Sequence, residues 1–490
     1  MSKIKVLDCT LRDGGYINNW NFGISKAKEI VRLLDMSGID FIELGFITQK
    51  ANTKTQTLFN SFESIKNITM QNIDKNKLYG MITYGEFPIE MIPKVKDSVI
   101  KGIRVIFKKN KTDEALLYCK AIKDIGYKLF INPTFIDQYN DFELIDVIKK
   151  INGINPYGMS IVDSMGVLKE RDILRLFYLI DHNLNKNISL CFHSHNNLQL
   201  SFSNAQCLIK VCKDRELIID ATVFGMGRGA GNLPTELLTQ YLNDNYGAKY
   251  NIVPILKIID EQINPIFAKM PWGYSVPYYL AATNHCHPNY AKYLVDKQTV
   301  PVEFINSLLQ SIPDEKKPTY DTEFIKQLYL DKFSAAVDDT KVTEKLKSLL
   351  SEKTVLIMAP GKSLKTEKDK IDKFITERNP FIISLNFMPE DFKENLAFIT
   401  NVKRFGSLKD YSKPLVITSN IENIPEHALV LNYSSYLNKS KMFDNVALML
   451  LKLLIQIGVK KVYIAGLDGF STIPTENYIS NDLINTSKVS

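Results

Sequence analysis

Cysteine is sparse in this chain and forms no framework. Six thiols (Cys9, Cys119, Cys191, Cys207, Cys212, Cys286) are spread over 490 residues without a C-x-x-C pair, which excludes a disulfide scaffold and a structural zinc cluster of the finger type. Long hydrophobic runs are also missing. The longest, from Val446 to Val459, is broken by Lys452 and Gln456 and is too short to span a bilayer, so a buried or amphipathic helix is expected there and no membrane span. Charge of one sign is not concentrated either: 61 Lys and Arg against 54 Asp and Glu leave a formal +7. Nucleic acid, which calls for a clustered basic stripe, is not an expected partner. No apolar signal segment precedes the strand pattern that starts in MSKIKVLDCT, so a cytoplasmic location is expected.

What is present is globular composition, 45% apolar and 23% charged, in a chain long enough for two or three domains. Eight β-branched or apolar runs fall at 4–8, 40–45, 77–83, 102–107, 127–132, 157–163, 188–195 and 217–225. Amphipathic stretches such as 25–38, 112–126 and 169–183 separate them, with apolar residues every three to four positions. Eight βα repeats in roughly 240 residues fit an α/β fold of the (β/α)8 TIM-barrel type over residues 1–245; a doubly wound open sheet is the competing layout. Residues 246–337, rich in helix pattern and in prolines, are expected to form a helical appendage to the barrel. Residues 338–490 return to α/β alternation with runs at 354–359, 381–387, 396–400, 414–419 and 460–470, and are expected to form a separate Rossmann-like domain.

In a barrel, chemistry collects where strands end at the carboxyl face. The seventh run ends in His193-Ser194-His195-Asn196-Asn197, and residues two apart on a strand point to one side, so both imidazoles can face one point. Two neutral nitrogens and a carboxylate suit a divalent ion that also holds substrate. The first run offers Asp8 and Asp13 in DCTLRDGG. Parity places Asp8, Thr10 and Arg12 on one face, while the Gly-Gly loop lets Asp13 turn inward, and both aspartates stay open.

LDCTLRDGG, IELG (42–45), HSHNNLQLSFSNA (193–205) and GMGRGAGNLPTELL (225–238) together resemble the metal-dependent DRE-TIM metallolyases (HMGL-like). That group holds the 4-hydroxy-2-oxovalerate aldolases, hydroxymethylglutaryl-CoA lyase and the isopropylmalate, homocitrate and citramalate synthases, and the likeness is nearest to the aldolases. The resemblance implies Asp13, His193 and His195 as ligands of a divalent ion, Mn²⁺ or Mg²⁺ first, Zn²⁺ or Co²⁺ as alternatives. It implies Asn232 as a further ligand or buttress, Arg12 as the catalytic arginine, and Glu43 as a carboxylate near the site. A 2-oxo acid substrate, C–C cleavage or formation through an enolate, and a homodimer follow from it. The aldolases carry a histidine base where this chain has Tyr16, and a phenol with an ordinary pKa near 10 is a poor base at neutral pH. Tyr278 and His285, in WGYSVPYYLAATNHCHPNY (272–290), are the expected replacements.

Two further readings compete. One is an acyl-CoA-dependent Claisen-condensing synthase of the isopropylmalate or homocitrate type. The other is an inactive metal-binding barrel that serves as a scaffold for a glycosyltransferase-like C-terminal domain. In that domain, Pro360-Gly361-Lys362-Ser363 follows a strand run, but Leu356 stands where a P-loop needs glycine. VLIMAPGKSL, FIISLNF and VYIAGLDGF faintly resemble the Rossmann-like domains of bacterial surface-glycan enzymes, sialyltransferase-like families among them. That likeness implies a nucleotide sugar held near Gly361, Ser363 and Asp468.

Overall fold

The computed structural model describes residues 4–50, 55–297, 301–332, 337–406, 408, 414–437, 445–468, 478–479 and 483. The chain divides into two compact units, residues 1–288 and 289–489, and the division falls inside the helix-rich stretch 246–337.

The first unit is a closed parallel barrel. Its strands are β1 (Ile4–Asp8), β2 (Phe41–Ile47), β3 (Leu78–Thr83), β4 (Gly102–Phe107), β5 (Lys128–Pro133), β6 (Gly158–Asp163), β7 (Ser189–Ser194) and β8 (Leu217–Ala221). They neighbour one another in sequence order, and β1 pairs with both β8 and β2, which closes the ring. Closure decides against the open doubly wound sheet. Both faces of these strands are covered, so they read as nearly continuous apolar runs. Helix Ile24–Met36 shows how the outer layer packs. It buries Ala27, Ile30, Val31 and Leu34 at helical spacing, each large side chain contributing roughly 1.5–3 kcal/mol, and Gly38 at φ +79° turns the chain away after it.

The helical ring is interrupted on one side. Between β2 and β3 the described residues form a two-residue strand, Leu58–Phe59, one α-helical turn, Phe62–Ile65, and the 3₁₀ turns Lys66–Ile68 and Lys75–Lys77; between β3 and β4 there are only 3₁₀ turns. In the second connection Pro88 and Pro93 lie five residues apart, too close for an uninterrupted helix.

Inside the barrel, strand periodicity sorts plug from chemistry. Phe41, Tyr79, Phe130, Cys191 and Ile218 form an apolar inner layer, with the Phe41, Tyr79 and Phe130 rings 5.1–6.2 Å apart and edge to face. Two residues further along the same strands come Glu43, Asn132, His193 and Asp220, and Arg104 follows Gly102 on β4 by the same step. All five are buried. A period of two thus builds an aromatic floor and, one layer nearer the carboxyl ends, a polar storey.

The second unit contains a six-stranded parallel sheet: β9 (Thr354–Met358), β10 (Phe381–Leu385), β11 (Leu396–Ile399), β12 (Leu415–Thr418), β13 (Leu429–Leu431) and β14 (Lys461–Ala465). Their order is β13-β12-β11-β10-β9-β14. Strand β13 was not expected from the sequence, and residues 469–470 of the expected run 460–470 lie outside the described residues. Among the described residues no helix is long and apolar enough to cross a membrane.

Candidate active site

The loop after β1 gives the two aspartates different places. Thr10–Asp13 is a helical turn, so strand parity stops at Asp8 and the shared face expected for Asp8, Thr10 and Arg12 does not form. Asp8 accepts the Thr10 N–H at 2.9 Å and the Thr235 hydroxyl at 2.7 Å, which commits it to holding the turn. Asp13 lines the cavity at the barrel mouth. Gly15 follows because a Cβ there would lie 2.0 Å from the Trp20 ring, and Trp20 donates its indole N–H to the Arg12 carbonyl at 2.7 Å.

Asp13, His193 and His195 each offer a ligand atom within 4.8 Å of the others. A cation with bonds of ~2.1 Å closes such a spacing by small side-chain rotations. Two orphaned atoms support the fit. His195 Nδ1 is buried without a hydrogen-bond partner, 3.9 Å from Asp13 Oδ2, and Asn232 Oδ1 is buried and unpartnered while its amide donates to Asp13 Oδ2. Protonation states agree. Burial works to raise Asp13, but the Arg12 guanidinium, with His195 and His193, outweighs it and holds the carboxyl well below the usual range. Burial lowers His195 to about 3, so its imidazole is neutral and able to ligate.

A second cluster, Cys9, His193 and Asp220, is equally compact, yet burial pushes the Cys9 thiol well up and leaves it a poor ligand. Asp220 instead orients His193: its Oδ2 lies 3.1 Å from His193 Nδ1. Burial would raise Asp220, and Arg104 at 2.6 Å overcomes this and keeps it anionic. A carboxylate on Nδ1 leaves Nε2 as the nitrogen available to a metal ion. Arg104 also reaches Asn132 Oδ1 at 3.2 Å and Glu43 at 3.5 Å.

Arg12 is held from both sides, Nε on Glu43 Oε2 at 2.8 Å and Nη1 on Asp13 Oδ1 at 2.7 Å. Glu43 therefore aims the guanidinium that touches Asp13. The cavity these groups enclose is about 100 Å³. Tyr16 stands at its lip, and desolvation raises its phenol against the opposing pull of Arg228. That direction is opposite to what a base requires, and Tyr16 remains a hydrogen-bond donor.

Comparison with known proteins bears on the same half of the chain. The HMGL-like family model matches residues 3–258, just over half of the sequence. The chain belongs to the HMGL-like family. It is a carbon–carbon lyase by kind, and similar to two curated proteins named 4-hydroxy-2-oxovalerate aldolase. One, from Geobacillus genomosp. 3, is 24% identical over 242 residues, 49% of this chain and 70% of the relative. The other, from Chloroflexus aurantiacus, is 25% identical over 319 residues, 62% of this chain and 90% of the relative. Among solved structures, the N-terminal domain of a protein assigned as an aldolase from Bacteroides vulgatus is 28% identical with a TM-score of 0.51, covering 59% of this chain and 96% of that one.

The HMGL-like match stops short of the segment expected to replace the missing histidine. Tyr278 and His285 are not among the residues lining the cavity; Tyr278 is half-buried on helix Val276–Thr283 and His285 is exposed, with φ +54°. His287, two residues on, is partly buried, and burial together with the charges of Arg228 and Lys108 lowers it to about 3. Sequence reasoning missed Arg104, Asn132 and Asp220. The signal was there: GIRVIF and LIIDA each carry one charge inside an otherwise apolar strand, and such a charge is retained only when paired.

In the second unit the structure brings Gly361, Ser363 and Asp468 together at the carboxyl ends of β9 and β14. Ser363 donates its N–H at 2.8 Å and its hydroxyl at 2.5 Å to the Asp468 carboxylate, and Gly361 N–H donates to the Gly466 carbonyl at 2.8 Å. The Ser363 donors that a phosphate would need already hold an anion.

Proposed function

We propose that the barrel catalyses reversible aldol cleavage of a 4-hydroxy-2-oxo acid, releasing a pyruvate-type enolate and an aldehyde, with a divalent cation held by Asp13, His193 and His195. The observation that carries this reading is the convergence of those three ligand atoms beside a buried arginine. A cation bound there would act as a Lewis acid toward the chelating carboxylate and keto oxygen of the substrate.

The chain's own residues supply the rest. Arg12, fixed by Glu43, presents N–H donors beside the oxygen on which negative charge grows, a contribution of about 3 kcal/mol in a site closed to water. Asp220 holds the Nδ1 proton of His193 and so fixes the ring. Asn232 lies against Asp13 and can present its free Oδ1 toward the same point. Tyr16, protonated throughout the neutral range, donates from the lip to the substrate oxygen that becomes the aldehyde, and in cleavage the 4-hydroxyl proton leaves to solvent water at the open mouth of the cavity. The relatives named 4-hydroxy-2-oxovalerate aldolase support the aldol direction over acyl-CoA condensation.

Deuterium exchange at C3 of pyruvate, followed by NMR, tests the enolate without knowledge of the aldehyde. Exchange is expected with Mn²⁺ or Mg²⁺, abolished by EDTA and by His193→Ala. Exchange that persists in metal-free protein, or none in metal-loaded protein, refutes the reading.

A further inference from the structure

Three guanidiniums line the cavity, and two of them are neutralised. Arg12 lies on Glu43 and Asp13, and Arg104 on Asp220 and Glu43. Arg228 differs: among the described residues no carboxylate pairs with it. Its Nη2 donates to the Ser164 carbonyl at 2.9 Å, and its guanidinium carbon sits 5.6 Å from the centre of the Tyr16 ring. Those contacts hold the group in place and leave its charge unmet. They also place it at the mouth, because Arg228 is only partly buried and Tyr16 is 40% exposed, while Asp13, His193 and His195 beneath are at most 6% exposed.

The loop presents this side chain rigidly. Gly229 (φ +71°) and Gly231 (φ +89°) adopt left-handed backbone, and a Cβ would lie 2.5 Å from Asn197 Oδ1 at the first and 2.1 Å from the Gly225 carbonyl at the second. Ala230 N–H donates to Asn197 Oδ1 at 2.8 Å, and Asn197 Nδ2 donates to the Met165 carbonyl at 2.8 Å. A cation pinned over an aromatic ring, with its remaining donors open to the cavity, is arranged for bidentate capture of a carboxylate or phosphate. The nearby imidazole of His287 is neutral and does not compete as a cation.

We infer that Arg228 selects substrates whose end remote from the 2-oxo carboxylate carries an anionic group, so that the substrate is a 2-oxo diacid or a phosphorylated 2-oxo acid rather than a neutral-tailed one. This rests on the reading that the 2-oxo head sits at Asp13, His193 and His195. One anion-recognising residue at the lip and the ligand set at the floor then bracket the substrate from its two ends.

The test is calorimetric binding to Mn²⁺-loaded protein, which needs no turnover. The probes are 2-oxoglutarate and 2-oxo-4-phosphonobutanoate, each against neutral-tailed 2-oxopentanoate. Wild type is expected to prefer the anionic-tailed probes by about tenfold or more, and the larger gain of the two identifies carboxylate or phosphate. Arg228→Gln should erase the preference with 2-oxopentanoate affinity retained, and Arg228→Lys should keep part of it. Equal affinities in wild type, a preference that survives in Arg228→Gln, or an equal loss of all probes in a folded Arg228→Gln protein each overturns the inference. Pyruvate exchange by wild type, measured separately, reports on the aldolase reading alone.

Discussion

Arg12 sits between two carboxylates, and its shape matters as much as its charge. Nε and Nη1 engage Glu43 and Asp13 separately, a two-pronged geometry that an ammonium cannot reproduce. Arg12→Lys keeps a positive charge between the buried acids, so the protein should fold and bind Mn²⁺. Its kcat for aldol cleavage should fall about 10²–10³-fold, read by steady-state kinetics on metal-saturated enzyme. Asp220 acts one step further out. Asp220→Asn keeps the volume but removes the charge that fixes the His193 Nδ1 proton, and Mn²⁺ affinity should weaken about 10–100-fold in a competition titration. An unchanged affinity would mean that Asp220 serves only to neutralise Arg104.

At the scale of elements, the eight barrel strands were legible in the sequence because parallel strands covered on both faces leave uninterrupted apolar runs, and each expected run overlaps its strand. The loop after β1 was less legible. Alternation carried forward from Val6 and Asp8 suggests a continuing strand, whereas Asp8 accepts the Thr10 N–H at the start of a helical turn and is anchored by the distant Thr235 hydroxyl, and a tertiary contact of the second kind leaves no local pattern. The pairing of His193 and His195 in the proposed ligand set was readable from H-x-H, Asp13 was preferred to Asp8 only through the family resemblance, and Arg104 and Asp220 required a view across strands. β13 escaped because a three-residue strand is too short to carry periodicity. The Gly-rich loop after β8 is where the element controls the site most tightly. Gly231→Ala puts a Cβ 2.1 Å from the Gly225 carbonyl in a left-handed backbone, a strain of about 1–3 kcal/mol. It should lower the melting temperature and also weaken metal binding, since Asn232 follows immediately. A loss of stability without any change in metal affinity would detach Asn232 from the centre.

For the molecule as a whole, the buried acids make stability depend on pH. Burial raises Asp8 to about 6, against the hydrogen bonds from Thr235 and Thr10. The unfolded chain loses this proton first, near an ordinary aspartate value of about 3.9, so the contribution of Asp8 to stability falls as pH rises from about 4 to about 6 and then levels off. An asparagine side chain in its place would accept the Thr10 N–H and donate to Thr235 as the protonated acid does. In metal-free protein, the urea midpoint of Asp8→Asn should match wild type near pH 4 and exceed it at pH 7; parallel profiles would show that Asp8 ionises normally. Because the barrel and the proposed ligand set lie within residues 1–288, a chain of those residues alone should bind Mn²⁺ in the same titration as the full-length protein.

The central claim is a cation centre built from Asp13, His193 and His195, and electron paramagnetic resonance of Mn²⁺ titrated into chelator-stripped full-length protein addresses it directly. The account predicts one bound Mn²⁺ per chain, a spectrum perturbed by pyruvate, and loss of that site in both Asp13→Ala and His195→Ala variants that remain folded. Undiminished binding in either variant, or no binding by the wild type, would contradict it.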